Sequence, residues 1–371
     1  MIFKPSEFFK ILKKNDIDFF CGVPDSLLKN FTNYIDSKVS PSNHIITANE
    51  GNAVALATGY NLGTKKIGLV YLQNSGLGNC INPLTSLTNK EVYSIPLVLL
   101  IGWRGFEGKN DEPQHLKQGK ILKEQLKILG IKFIILEKKK GFEKSISDLI
   151  VYARTNSIPV AILVKKNSFS DFYLKQNTSK FLVTKRQVIE NVIPHLSKKD
   201  LVFSTTGMIS RSIIECLKKH KKNSKNFFFN VGSMGHVSSI ALGVAITNKK
   251  RIICIDGDGS FLMHLGALAI IGSKQLGNFK YILINNGCHE SVGGQKTVAF
   301  DLNIKNIAEA CGFKYFGISK KVIELQTNLK KTLLSKSPCF LEVKVKIEDD
   351  QNLPRPSKSL IEYKKDFLKI I

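Results

Sequence analysis

The sequence predicts an α/β protein made of two parallel sheets, each covered by helices, and three observations carry that expectation. Short apolar runs recur along the whole chain, they are continuous instead of alternating, and segments of helix length separate them. A strand buried on both faces has no solvent side to keep polar, so continuous runs point to parallel sheets with helices on each face. In order, the candidate strands of the first half are DFFCGV, HIITA, IGLVYLQ, PLVLLIGW, KFIIL and VAILVK. The second half offers LVFSTTG, NFFFNVG, RIICIDG, KYILINNG and PCFLEVKV. Between the halves lies NSFSDFYLKQNTSKF, polar and rich in Ser and Asn, which reads as a linker. The expected layout is therefore two domains, residues 1–170 and 183–371, joined at 171–182. A chain of 371 residues is long enough for both.

Composition narrows the function classes. A hydrophobic fraction of 43% and a charged fraction of 23% are those of a globular chain. Lysines interrupt the start, MIFKPSEFFKILKK, so no apolar leader is expected, and SIPLVLLIGW is too short to cross a bilayer. The seven cysteines (Cys21, Cys80, Cys216, Cys254, Cys288, Cys311 and Cys339) form no CxxC pair, which suggests reduced thiols in a cytoplasm. The net charge of +25 comes almost entirely from lysine, with arginine only at Arg104, Arg154, Arg186, Arg211, Arg251 and Arg355. Bidentate phosphate readers are thus scarce, and neither a nucleic acid nor a membrane is the expected partner. The field favours small anionic molecules.

One stretch asks for an explanation. IDGDGSFLMHL puts two aspartates among glycines directly after an apolar strand, where a bare carboxylate is costly unless a cation meets it. Ligands of open α/β sheets bind at the carboxyl ends of strands. RIICI ends in Gly257-Asp258-Gly259-Ser260 and KYILI ends in Asn285-Asn286-Gly287. The intervening length holds one turn, one helix (FLMHLGALAIIGSKQL) and one strand, so a crossover brings both polar ends to one edge. Asp258 then offers a carboxylate oxygen, Asn286 an amide oxygen and the following turn a main-chain carbonyl. With diphosphate oxygens these complete a magnesium octahedron. Gly257 and Gly259 let phosphate approach the N–H groups opening the next helix. The alternative for GDG alone is a strand-end turn with aspartate as helix cap.

The GDG…NN pairing resembles the diphosphate motif of the thiamine diphosphate enzymes. That resemblance implies thiamine diphosphate and Mg2+ as cofactors, with Asp258, the Asn286 side chain and the Cys288 carbonyl as metal ligands. It implies Glu50, in HIITANEGNAVALATGY, as the catalytic carboxylate on the aminopyrimidine ring, where it promotes the tautomer that deprotonates the thiazolium C2. Small residues at Gly51, Ala53, Ala55 and Ala57 would allow close packing. The alternative for Glu50 is a helix first-turn acid favoured by the dipole. By the same resemblance Thr205 and Thr206, with Gly257, Gly259 and Ser260, serve the diphosphate. Met234, flanked by Gly232 and Gly235, props the cofactor into its bent shape, the alternative being core filling. The first domain becomes a pyrimidine domain and the second a diphosphate domain, with no central third domain. A homodimer or larger assembly with active sites between subunits is implied.

Whole-chain similarity is to the phosphonopyruvate decarboxylases, in GVPDSLLKNF, GWRGFEGKNDEPQHLKQGK, TTGMISRS, VGSMGHVSSIALG, HESVGGQKTVAFD and LPRP. Sulfopyruvate decarboxylases share several of these segments. The implied reaction is decarboxylation of 3-phosphonopyruvate to phosphonoacetaldehyde and carbon dioxide in phosphonate biosynthesis. The runner-up readings are sulfopyruvate decarboxylation and a noncatalytic basic protein on this fold. GMISRS and GGQKT depart from the family forms, where a lysine and a proline are expected, which bears on substrate preference. For an anionic 2-oxo acid the candidate contacts are Asp25, Ser26, Arg104, Lys109, Lys117 and Lys120. Gln295 and Thr297 join them from beyond the magnesium turn, and Arg355 from a closing tail. His115 is the candidate proton donor or substrate contact, against a reading as a surface-loop histidine.

Overall fold

The computed structural model describes residues 2–106, 111–137, 141–174, 179–348, 353 and 358–371. The chain divides into two compact units, one of residues 1–176 with 292–295, the other of 177–291 with 296–371.

The first unit holds β1 (Phe19–Gly22), β2 (His44–Ile46), β3 (Gly68–Gln73), β4 (Leu97–Gly102), β5 (Lys132–Ile135) and β6 (Val160–Val164). They form one sheet of order β2-β1-β3-β4-β6-β5, and every pairing is parallel. The pleat explains the apolar runs. Along β4, Val98 and Leu100 enter one hydrophobic cluster while Leu97, Leu99 and Ile101 enter another on the opposite face.

The second unit holds β7 (Leu201–Ser204), β8 (Phe227–Phe229), β9 (Ile252–Gly257), β10 (Phe279–Asn285), β11 (Tyr315–Ser319) and β12 (Cys339–Lys344). Its order is β11-β12-β10-β9-β7-β8, again parallel throughout. Numbered within its own unit and read from the other end, that is the order of the first sheet. On β9, Ile253 and Ile255 face one cluster, and Ile252 and Cys254 the other. The two-sheet α/β architecture expected from the runs is the one present.

Two local expectations need correction. β11 was not among the candidate strands, because YFGIS carries a glycine and is only half-buried at a sheet edge, so no continuous apolar run marks it. The single helix expected after GDG is two short helices, Asp258–Met263 and Ala267–Ser273. The first ends at His264, whose φ of −133° and ψ of 51° leave the helical region, and Gly266 caps the start of the second.

Candidate active site

In each unit the chain leaves the first strand to one side and returns on the other, which opens a crevice at the carboxyl ends of β7 and β9. Parallel register places Gly257 opposite Ile284, so Asp258 and Asn286 emerge side by side from β9 and β10. Asp258 is buried and accepts a 2.5 Å hydrogen bond from the Thr297 hydroxyl. The main-chain N–H of Asn286 also reaches its carboxylate. Burial outweighs these donors and pushes the Asp258 carboxyl up to about 7. Burial thus penalises the ionised form of Asp258, a penalty that a bound divalent ion would relieve.

Around it lies a pocket. Thr205 and Thr206 line it after β7, with the Thr205 hydroxyl donating to Ser260 Oγ at 3.0 Å and the Thr206 hydroxyl to the Val231 carbonyl at 2.9 Å. Gly257, Gly259, Ser260, Asn286 and Cys288 line it too. A Cβ on Gly259 would stand 2.8 Å from the His289 ring and 3.1 Å from Met234 Cε, so the glycine is needed for room at this wall. Met234 is half-buried and faces the pocket instead of filling core. It is presented by a turn in which Ser233 (φ +50°) and Gly235 (φ +86°) both take left-handed backbone. Gly232 precedes that turn and does not line the pocket. Burial raises the Cys288 thiol well above its usual range, so its sulfur is inert here. These residues fit a diphosphate and a hard cation: one carboxylate, an amide oxygen and carbonyls, beside glycine-exposed backbone. Among the described residues no three His, Cys, Asp or Glu side chains cluster in the manner of a zinc site.

The first aspartate of the motif has a different task. Asp256 is buried with Tyr281 Oη donating to its Oδ2 at 2.6 Å and the Gly257 N–H to its Oδ1 at 2.9 Å. Burial raises its pKa. Tyr281→Phe leaves that carboxylate short of a donor, and the expected loss is about 1–3 kcal/mol of stability, read from the midpoint of chemical unfolding. An unchanged midpoint would show that Tyr281 does not support the turn.

In the first unit Glu50 opens the helix Glu50–Thr64, whose N-cap Asn49 accepts from Asn52 N at 2.9 Å. Glu50 is buried, Asn79 Nδ2 donates to its Oε2 at 2.7 Å, and burial raises its pKa. A side chain on Gly76 would collide with its carboxylate. The small residues of this helix divide their roles. Gly51 lies against the Asn79 carbonyl, Ala53 and Ala57 pack on the sheet, and Ala55 is exposed.

Several expected substrate contacts are placed otherwise. Arg104 is not an open anion reader: its guanidinium pairs with both oxygens of Asp111 and donates to Ser26 Oγ at 2.9 Å. Asp25 is fully buried, accepting from Gln73 Nε2 at 2.7 Å and Leu27 N at 2.9 Å, and burial raises its pKa. His115 sits on the helix Pro113–Ile128 and is buried, not in a surface loop. Burial, and then the charge of Arg104, lowers its pKa. Lys117 and Lys120 are exposed on that helix. Gln295 packs with the first unit and donates to Thr32 Oγ1 and Asn33 Oδ1, while Thr297 serves Asp258. Lys109 and Arg355 lie outside the described residues.

Sequence reasoning missed Lys185, His289 and Glu290, which all line the pocket. Glu290 sits four residues after Asn286 and carried a local signal. Lys185, about a hundred residues away, carried none.

The fold and crevice thus define an α/β protein with a diphosphate-type site at strand ends. Residues 6–128 match the thiamine pyrophosphate enzyme N-terminal TPP binding domain, and residues 205–343 the C-terminal TPP binding domain. The phosphonopyruvate decarboxylase of Streptomyces viridochromogenes is 29% identical over 363 residues, covering 93% of this chain and 89% of its own. The sulfopyruvate decarboxylase of Methanosarcina acetivorans is 27% identical, covering 82% and 81%. The alpha subunit of the Methanocaldococcus jannaschii sulfopyruvate decarboxylase is 34% identical over 42% of this chain and 89% of its own. The chain belongs to the thiamine pyrophosphate enzymes. Within them it is a decarboxylase, a carboxy-lyase. No helix among the described residues is long and apolar enough to cross a membrane.

Proposed function

We propose that the protein decarboxylates 3-phosphonopyruvate to phosphonoacetaldehyde and carbon dioxide, as a step of phosphonate biosynthesis, using thiamine diphosphate and Mg2+. The observation that carries the substrate is that similarity to phosphonopyruvate decarboxylases runs over 90% or more of this chain in two relatives. When bound, thiamine diphosphate supplies the electron-accepting ring that lets a 2-oxo acid lose carbon dioxide. The chain does the rest. Asp258, the amide oxygen of Asn286 and the carbonyl of Cys288 hold Mg2+. Thr205, Thr206, Gly257, Gly259 and Ser260 would receive the diphosphate, and Met234 would support the cofactor from the pocket wall. Glu50 holds a proton at the ring nitrogen. A homodimer or larger assembly completes the active sites between subunits.

The buried, water-poor setting of Glu50, which raises its pKa above the usual carboxylate range, supports a role in holding a proton.

Sulfopyruvate is the second reading, favoured by the local identity of 34% to a sulfopyruvate decarboxylase subunit. Carbon dioxide release is to be measured with each acid, with and without thiamine diphosphate and Mg2+. A kcat/KM at least tenfold higher for phosphonopyruvate is expected. Equal or reversed preference would transfer the assignment to the sulfonate.

A further inference from the structure

We propose that Lys185 and Glu290 form a positioning pair that orients Asn286 so that its amide oxygen, and not its nitrogen, faces the cation. The proposal rests on the reading of Asp258 and Asn286 as Mg2+ ligands. The two ends of a primary amide have nearly one shape, so an asparagine at a metal site needs neighbours that distinguish oxygen from nitrogen. Glu290 is such a neighbour: an ionised carboxylate only accepts, and its Oε2 takes a hydrogen bond from Asn286 Nδ2 at 3.2 Å. The Cys288 N–H makes the opposite selection by donating to Asn286 Oδ1 at 3.1 Å. An acceptor on one end and a donor on the other leave one orientation satisfied.

A carboxylate this close to Asp258 is itself a hazard, since it repels the buried acid and competes for the cation. The surroundings counter both effects. Lys185 Nζ lies 3.0 Å from Glu290 Oε2, with both side chains largely withdrawn from water. Glu290 Oε1 accepts from Glu348 N at 3.0 Å. Three donors therefore hold Glu290 where it is, so it orients a ligand without becoming one. Lys185 is fixed in turn by the start of its helix, Lys185–Val192. There Thr184 Oγ1 accepts from Gln187 N and Gln187 Oε1 accepts from Thr184 N, each at 2.9 Å.

The test is Mg2+ titrated calorimetrically into protein saturated with thiamine diphosphate. Two double variants remove the buried charges together, so neither strands an unpaired ion. Lys185→Met with Glu290→Gln keeps an acceptor for Asn286, and its Mg2+ affinity is expected to stay within about threefold of the wild type. Lys185→Met with Glu290→Leu removes the acceptor, and the affinity is expected to fall about 10- to 100-fold. Equal affinities in the two variants, whether both retained or both lost, would overturn the positioning role. Should the leucine variant fail to fold, Glu290→Asp keeps the charge for Lys185 but withdraws the acceptor from Asn286, and wild-type affinity there would overturn it equally. Failure of the wild type to take up Mg2+ would sink the cation site itself.

Discussion

Glu50→Gln is expected to lower kcat for carbon dioxide release by about 10²- to 10⁴-fold, the range contributed by a positioned acid–base group. The substitution is nearly isosteric, so the site keeps its shape, and the Gln amide oxygen still accepts from Asn79 Nδ2. Alanine would be a poorer choice, because the space bounded by Gly76 and Asn79 would open and mix packing effects with chemistry. Stability supplies the control. Burial raises the Glu50 carboxyl, so its ionised form is disfavoured in the folded chain. A carboxyl of that kind stabilises most below its unfolded pKa, and the contribution is lost as pH rises through the folded value. At neutral pH the cofactor-free Gln variant should therefore melt no lower than the wild type. Unchanged kcat would remove Glu50 from the chemistry, and a lowered melting temperature would recast it as a structural residue.

What was legible in the sequence follows from how far apart the interacting residues lie. Both sheets were readable because burial on two faces is written residue by residue, as in Val98 and Leu100 against Leu97 and Leu99. The edge strand β11 was not, since its half-exposed pattern with Gly317 resembles a loop. That Asp258 and Asn286 lie side by side was legible from the fixed length of one crossover, although the helix inside it is broken. Tyr281 and Lys185 escaped because their partners, Asp256 and Glu290, are reached only through sheet pairing or a distant helix start. Arg104 shows the opposite failure. Its partner Asp111 stands only seven residues on, in the same polar stretch, but residue type alone does not tell a cation open to substrate from one already locked in a bidentate pair.

Asp258→Asn is expected to make the cation-free protein more stable at pH 8 while abolishing the stabilisation by Mg2+ and thiamine diphosphate. The two effects share one cause. Lifted from its ordinary 3.8 to about 7 by burial, the carboxyl penalises the ionised folded state by about 4 kcal/mol at pH above both values. The sign is fixed by the direction of the shift: the contribution of this carboxyl is fully present below about pH 4 and is lost as pH rises through 7. Asparagine does not ionise, so the variant's stability lacks that slope. With the cofactor and Mg2+ at a hundred times their dissociation constant, the wild type regains about 2.7 kcal/mol by mass action. The variant gains little, because an amide cannot neutralise the cation. Thermal melting across pH 4–8, with and without both ligands, reads all four states in one series. If the cation-free wild type were flat over that range, the buried carboxylate would already have a compensating charge in the chain. If the Asn variant rose with ligand as the wild type does, the cation would be held elsewhere.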